Sequence, residues 1–271
     1  MQSVKSIVRI AALGDLHHSR TAPAGSLQPL FAQISETADV LVLCGDLTDY
    51  GLAEGARSLI REMGALRIPA VTVLGNHDFQ SGEESEIVKI LADGGVTPLD
   101  GDTVEIQGVG FAGIKGFAGG FGRRALGPWG ETIIKKFVHE AVDEALKLET
   151  ALARLRTDRL IAILHYSPIQ ETVEGEPLEI FPFLGCSRLE EPLTRYPVTA
   201  VFHGHAHHGR PEGRTRTNAP VFNVSMSLMR ELFPERPFRV FEIRMPPSPS
   251  DHPRGGLSET AFALPQEPEC P

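Results

Sequence analysis

The chain has 271 residues, of which 41% are hydrophobic and 23% charged, and its formal net charge is −9. This composition is ordinary for a globular protein with a packed core, and no apolar run approaches the roughly 20 residues that a membrane span needs. The acidic balance argues against a long nucleic-acid backbone as a partner, because such binders usually display a basic face. Three scattered cysteines argue against a disulfide framework, and the N-terminus does not resemble a signal peptide, so we predict a cytoplasmic protein.

Short apolar runs recur along the chain, and each is followed by a turn of glycine and polar residues, as expected for buried strands. The predicted strands are Ile7–Leu13, Val40–Cys44, Ala70–Leu74, Leu160–Leu164 and Val198–His203.

Between these strands, apolar residues at helical spacing predict helices over Leu52–Leu66 and Glu131–Leu155. Strands alternating with helices indicate an α/β domain. Around Thr97–Gly113 and Pro220–Ile243 the strands have no intervening helix, which predicts that part of the sheet system is antiparallel or mixed.

We expect one domain over residues 1–245 and a proline-rich C-terminal tail over residues 246–271, either disordered or lying on the surface. The glycine-rich segment Gly113–Arg124 precedes the long helix and is interpreted as a mobile loop. It lacks the Lys-Ser/Thr ending of a Walker phosphate loop, so its glycines alone are weak support for phosphate binding.

Polar residues follow five predicted strands, at the carboxyl ends where open α/β sheets place their ligand sites. The motifs are Gly14-Asp15-Leu16-His17, Gly45-Asp46-Leu47-Thr48-Asp49, Gly75-Asn76-His77-Asp78, the single His165, and Gly204-His205-Ala206-His207. A single Asp at such a position is more typical of a turn or helix cap, and a single His of a surface residue. Five in order indicate a metal site instead.

Asp15 and His17 are two residues apart, so in an extended segment both side chains point to one face and can chelate one ion. His205 and His207 have the same spacing. Carboxylate, imidazole and amide ligands without a thiolate favour Mn²⁺ or Fe, with Zn²⁺ also possible.

This ordered set of motifs, from Gly14 to His207, resembles the calcineurin-like metallophosphoesterase family. The resemblance implies a four-layer α/β/β/α sandwich of two mixed sheets flanked by helices, with two divalent metal ions at one edge. It also implies a role for each ligand. Asp15, His17 and His207 would hold the first metal, Asn76, His165 and His205 the second, and Asp46 would bridge them.

The resemblance further implies that His77 stands beside the scissile phosphate as a proton donor, oriented by Asp49. Two metals roughly 3.5–4 Å apart lower the pKa of a shared water to near neutrality, which gives a bridging hydroxide as the nucleophile. The alternative role for Asp49 is to cap the following helix.

The substrate class rests on departures from the family's patterns. Thr48-Asp49-Tyr50-Gly51 replaces the arginine-containing motif of the Ser/Thr protein phosphatases, so we expect the bacterial phosphodiesterase-like branch and a small substrate of the cyclic-nucleotide or glycerophosphodiester type. A phosphomonoesterase acting on nucleotides or sugar phosphates is the alternative, followed by a non-catalytic metal-binding scaffold. The candidate substrate contacts are Arg20, Arg123, Arg124 and Arg210. Residues 171–185 form an acidic insertion before the last motif. Its Phe181 and Phe183 either wall a substrate pocket or pack the loop onto the core.

Overall fold

The computed structural model describes residues 5–246, so most of the proline-rich segment 246–271 lies outside the described residues. Two mixed β-sheets form the centre of the fold, and helices flank both of them.

The first sheet has five strands in the order β11-β1-β2-β3-β4. Their bounds are β1 Ile7–Leu13, β2 Val40–Cys44, β3 Ala70–Val73, β4 Val96–Pro98 and β11 Arg239–Arg244. Strands β1 to β4 are parallel, with Ile10 level with Val40, whereas β11 runs antiparallel to β1 at one edge.

The second sheet has six strands in the order β5-β6-β7-β8-β10-β9. Their bounds are β5 Asp102–Ile106, β6 Val109–Gly113, β7 Leu160–Ile163, β8 Val198–His203, β9 Glu212–Arg214 and β10 Pro220–Asn223. Strands β6, β7, β8 and β10 are parallel, and the edge strands β5 and β9 are antiparallel to their neighbours.

Side chains alternate between the two faces of each sheet, and this alternation sets the order of the layers. Ile10 and Ala12 of β1 face the second sheet, where they join a core with Phe111 and Phe202. Ala11 and Leu13, which alternate with them, pack on the outer side with the helices of the first sheet. The predicted α/β/β/α sandwich is therefore confirmed.

Seven α-helices lie in the described residues. They are α1 Gln28–Thr37, α2 Ala53–Glu62, α3 Glu84–Asp93, α4 Thr132–Arg154, α5 Phe181–Leu184, α6 Glu190–Arg195 and α7 Met226–Leu232. Helices α1 to α3 cover the first sheet through residues such as Phe31, Leu59 and Leu91. Helix α4 covers the second sheet through residues such as Leu148 and Leu152. No helix within residues 5–246 combines the length and the hydropathy required to cross a membrane.

Two expectations about local structure are wrong. Helix α7 lies inside the segment Pro220–Ile243, which was expected to hold strands only. Three of its seven residues are buried, namely Met226, Leu228 and Met229. The glycine-rich segment Gly113–Arg124 is largely buried up to Gly120, where it hydrogen-bonds to the insertion through Gly120 N–H and the Gly185 carbonyl. Its glycines allow close packing between backbones, so this part of the segment packs against the core.

Candidate metal centre

All five motifs meet at one edge of the sandwich. Loops after β1, β2 and β3 carry Asp15, His17, Asp46, Asn76 and His77, and loops after β7 and β8 carry the remaining predicted ligands. Because the carboxyl ends of both sheets face this edge, residues almost 200 positions apart become neighbours: the His205 N–H donates to the Asp15 carboxylate over 3.0 Å.

The backbone of these loops is left-handed, not extended. Asp15, His17, Asp46 and His205 have φ angles of 57°, 44°, 48° and 70°. Non-glycine residues seldom adopt this conformation, and such residues cluster at functional sites. The expectation of an extended chelating segment at Asp15–His17 is therefore wrong, although the side chains do converge.

The first cluster contains Asp15, His17 and His207, whose ligand atoms all lie within 4.8 Å of one another. His207 Nε2 lies 3.2 Å from Asp15 Oδ1. His17 Nε2 is buried and has no hydrogen-bond partner among the described residues. A buried polar atom without a partner costs free energy, so this nitrogen fits a site that a metal ion completes.

The second cluster contains Asp46, His165 and His205. His165 Nδ1 donates to the Cys44 carbonyl over 2.9 Å, which leaves a lone pair on Nε2. That nitrogen faces Asn76 Oδ1 at 2.9 Å and Asp46 Oδ1 at 3.4 Å, and all three atoms are acceptors. Converging lone pairs repel unless a cation lies between them, so this donor set fits a metal ion.

Asp46 lies between the two clusters. Its Oδ1 faces His165 Nε2 at 3.4 Å, and its Oδ2 faces His17 Nε2 at 3.8 Å. One carboxylate thus offers one oxygen to each cluster.

Two glycines make room for the carboxylates. A Cβ at Gly75 would lie 2.1 Å from Asp46 Oδ1, and a Cβ at Gly204 would lie 2.3 Å from Asp15 Oδ2. Both distances are far below van der Waals contact, so the close approach requires glycine at these positions.

The pKa shifts of His205, His17 and Asp15 favour the forms that bind metals, whereas the hydrogen bond with Asp15 raises the pKa of His207. Burial, together with the charge of nearby His165, lowers the pKa of His205 to about 3, and burial also lowers the pKa of His17. Burial raises the pKa of Asp15, but the hydrogen bond with His207 and the neighbouring histidine charges outweigh it, so this pKa is lowered overall. Neutral imidazoles and an ionised carboxylate are the forms that ligate metals.

His77 lies beside the first cluster, with its ring centroid 4.5 Å from that of His17. Its Nδ1 donates to the main-chain carbonyl of Asp49 over 2.7 Å. The Asp49 carboxylate instead faces His17 Nδ1 at 4.0 Å. Ligand atoms of His17, Asp49 and His77 also lie within 4.8 Å of one another. The hydrogen bond between His77 and Asp49 thus forms through the main-chain carbonyl, and an orienting role for the carboxylate stays a prediction.

Asp78, which the sequence left without a role, joins the loops after β2 and β3. Its buried carboxylate accepts hydrogen bonds from the N–H groups of Leu47, Thr48 and Gly75 and from the Thr48 hydroxyl. These bonds fix the loops that carry Asp46 and Asn76.

The sequence analysis did not identify several residues that position the ligands, because these residues act through main-chain atoms or ring contacts. The Lys115 carbonyl accepts the N–H groups of His165 and Tyr166, and the Tyr166 ring lies 4.6 Å from that of His205. Asn223 donates to the Ala206 carbonyl over 2.7 Å. Asn223 could have been identified from the sequence, because it is a polar residue at the end of strand β10.

The candidate arginines separate into two groups. Arg20 lines a cavity of about 340 Å³ that it shares with Asp49. Arg210 forms an ion pair with Glu174 at 3.0 Å, and Arg123 and Arg124 lie exposed on a short turn. Arg20 is thus placed at a cavity beside Asp49, whose carboxylate faces the first cluster.

Burial separates His18 and the two phenylalanines of the insertion. His18 is buried, with Nε2 3.1 Å from the Ser58 hydroxyl. Phe181 packs against a small core around Val173, whereas Phe183 is exposed and offers its carbonyl to His205 Nε2 at 3.2 Å.

Paired metal-binding clusters joined by one carboxylate are typical of hydrolases that cleave phosphate esters with two metal ions. The sequence model of the calcineurin-like phosphoesterase family matches residues 8–209 of the chain. The chain therefore belongs to the calcineurin-like phosphoesterase family, whose members are metal-dependent phosphoester hydrolases with a dinuclear metal centre.

Solved structures share the fold. The phosphopantetheinyl hydrolase of Mycobacterium tuberculosis aligns with a TM-score of 0.61 and 15% identity, over 86% of this chain and 95% of that one. The protein TT1561 of Thermus thermophilus aligns with a TM-score of 0.51 and 16% identity, over 87% and 98% of the two chains. No curated protein matches the sequence.

Proposed function

We propose that this chain is a dinuclear metal-dependent phosphodiesterase that acts on small substrates. The observation that carries the proposal is the position of Asp46, with one carboxylate oxygen toward His17 and the other toward His165. In this proposal Asp46 bridges two divalent cations. The other ligands are Asp15, His17 and His207 on one side and Asn76, His165 and His205 on the other.

Two divalent cations bound there would supply an activated water and Lewis acidity toward the phosphoryl oxygens. Manganese or iron suits the nitrogen and oxygen donors best. Burial raises the pKa of the Cys44 thiol well above its ordinary value, so this nearby sulfur stays protonated and offers no thiolate ligand.

His77 is proposed to protonate the leaving oxygen. Its Nδ1–H is held by the Asp49 carbonyl, so a second proton can reside only on Nε2. From there the imidazolium donates the proton to the departing alcohol as the P–O bond breaks.

The diester assignment is supported by two separate cavities beside the clusters. The cavity containing Arg20 and Asp49 adjoins the His17 side. A second cavity, of about 390 Å³, adjoins the His165 side through Lys115, whose carbonyl bonds to His165 N–H. A phosphodiester carries two organic groups, and a monoester only one.

The test is hydrolysis of bis(p-nitrophenyl) phosphate by the purified chain with and without Mn²⁺, compared with p-nitrophenyl phosphate at matched concentrations. We expect Mn²⁺-dependent hydrolysis with a higher kcat/KM for the diester. Asp46→Ala should abolish activity and reduce the amount of bound metal, which inductively coupled plasma mass spectrometry measures. Arg123→Ala, at an exposed position, should change neither.

Activity that survives both chelation and Asp46→Ala would overturn the proposed mechanism. A higher kcat/KM for the monoester would replace the diester assignment with a phosphomonoesterase.

A further inference from the structure

A cavity of about 390 Å³ lies between helix α3 and the second sheet, and the proposed function leaves open which organic group it would hold. Its apolar walls come from Leu74, Phe79, Val88 and Leu99, and its polar lining includes Asp102 and Lys115. The volume lies in the range of small-molecule sites, which combine apolar walls with a few placed polar groups.

The wall nearest the metal clusters is built from the same segments as the clusters. Phe79 ends the short helical turn His77–Phe79, which contains His77. Lys115 follows β6, and its carbonyl accepts the N–H of His165 over 3.0 Å. In the described part of the chain, no predicted ligand lines the cavity, and these two segments form its structural link to the clusters.

Lys115 carries a charge that the protein satisfies only in part. Its Nζ donates to the Gly116 carbonyl over 2.8 Å and lies 5.6, 4.9 and 5.5 Å from the ring centroids of Phe79, Phe117 and Tyr166. Among residues 5–246, no carboxylate forms an ion pair with it. Cation–π contacts offset part of the lost hydration, and a hydrogen-bond acceptor on a ligand would complete the set.

The charge pattern of the lining selects a class of ligand. Glu84, Asp100 and Asp102 line the cavity, and Asp100 is paired with Lys147 at 3.0 Å. The carboxylates of Glu84 and Asp102 therefore disfavour a second anion and favour N–H or O–H donors. Phe79, 40% exposed, offers a ring on which a planar group can stack. A planar ring with acceptors toward Lys115 and donors toward the carboxylates matches all three features.

We propose that this cavity binds the heteroaromatic ring of a nucleoside-type organic group on the phosphodiester substrate. The assignment rests on the proposed function for the phosphate, while the ring contacts arise from the cavity itself.

The test uses equilibrium binding by calorimetry to the Mn²⁺-loaded chain with three probes: AMP, ribose 5-phosphate and adenosine. We expect AMP to bind about tenfold or more tightly than ribose 5-phosphate, because the base adds a stacking contact. Val88→Trp fills the cavity from the outer side of α3, where Val88 is 37% exposed. It should remove the AMP advantage and adenosine binding while leaving ribose 5-phosphate unchanged.

Two further variants refine the test. Leu146→Trp places the same ring on exposed α4 and should behave as wild type. Lys115→Met keeps the length of the side chain without its charge and should weaken AMP and adenosine several-fold, with ribose 5-phosphate unaffected.

The outcomes separate the two proposals. AMP and adenosine binding that is unchanged in both Val88→Trp and Lys115→Met would overturn the cavity assignment, even if diesters are hydrolysed. Adenosine binding lost in Val88→Trp, in a chain that hydrolyses no diester, would support the cavity and overturn the proposed phosphodiesterase.

Discussion

Asp46 divides the candidate metal centre into two halves of different construction. The His165 half is centred on a fully buried histidine, His165, whose side chain is 0% exposed, although Asn76 and His205 are partly exposed. The His17 half opens to solvent, with the side chains of His17 and His207 24% and 36% exposed.

The difference extends to how the ligands are held. His165 is fixed by the Cys44 carbonyl at one nitrogen and faces Asn76 at the other, whereas His17 Nε2 has no hydrogen-bond partner among the described residues. Hydrogen bonds that orient a ligand strengthen metal binding. We therefore expect the His165 half to be preformed and to bind its metal ion tightly. The His17 half would bind its metal ion more weakly and exchange it more readily.

The largest effect is expected for loss of a metal-binding histidine, His165→Ala or His17→Ala. Each should lower kcat/KM for bis(p-nitrophenyl) phosphate by about 10³-fold or more, because a metal's contribution to catalysis is worth several kcal/mol. In metal-free protein, His165→Ala should also lower the free energy of unfolding by about 2–4 kcal/mol, because it leaves a cavity and an unpaired Cys44 carbonyl. Denaturant unfolding measures this difference. If the two variants were equally destabilised, the halves would not differ in preorganisation.

The second prediction concerns His77, beside the open half. His77→Gln should lower kcat by about 10²-fold or more for substrates with alkyl leaving groups and far less for p-nitrophenyl esters, whose leaving group needs no proton. Asp49→Asn should change kcat less than about threefold, because the main-chain carbonyl that orients His77 remains. Steady-state kinetics on paired substrates checks both. A large loss of kcat in Asp49→Asn would show that the Asp49 carboxylate orients His77.

The third prediction concerns metal exchange. A chelator added to Mn²⁺-loaded protein should remove one equivalent first, with affinities of the two halves differing by about tenfold or more, as outer hydrogen bonds to ligands typically produce. His17→Ala should abolish the weakly held equivalent alone. Metal content after timed chelation provides the measurement, and simultaneous loss of both equivalents would contradict the comparison.

The smallest effect is expected at the arginines. Arg20→Ala should raise KM a few-fold, about 1 kcal/mol or less, because the residue lines the cavity beside Asp49 but is solvent-exposed. Arg210→Ala removes a surface ion pair with Glu174 and serves as the matched control with unchanged KM. An equal rise in KM for both would show that Arg20 acts only through general surface charge.

Much of the fold could be predicted because buried strands leave a strong pattern. The bounds of β1, β2 and β8 agree with the expected Ile7–Leu13, Val40–Cys44 and Val198–His203. Each is a mainly apolar run that a glycine follows directly, so the end of the run and the turn residue mark the same boundary.

The ligand positions could be predicted for a related reason, since polar side chains after parallel strands converge at one edge. The orientation of those side chains could not. It depends on left-handed backbone at residues such as Asp15 and Asp46, and on main-chain acceptors such as the Asp49 carbonyl. Neither appears in a pattern of side chains. The burial of His18 could not be predicted either, because it depends on a long-range contact with Ser58 of α2.

The hydrogen bond between His205 N–H and the Asp15 carboxylate spans 190 positions of the sequence. Closing so long a loop carries a high entropic cost in an unfolded chain, and contacts of this separation form late in folding. We therefore expect the nascent chain to assemble both sheets before either cation finds its full coordination. Metal loading then follows folding as a final maturation step, and it selects correctly folded molecules because only they bring the two ends of this long loop together.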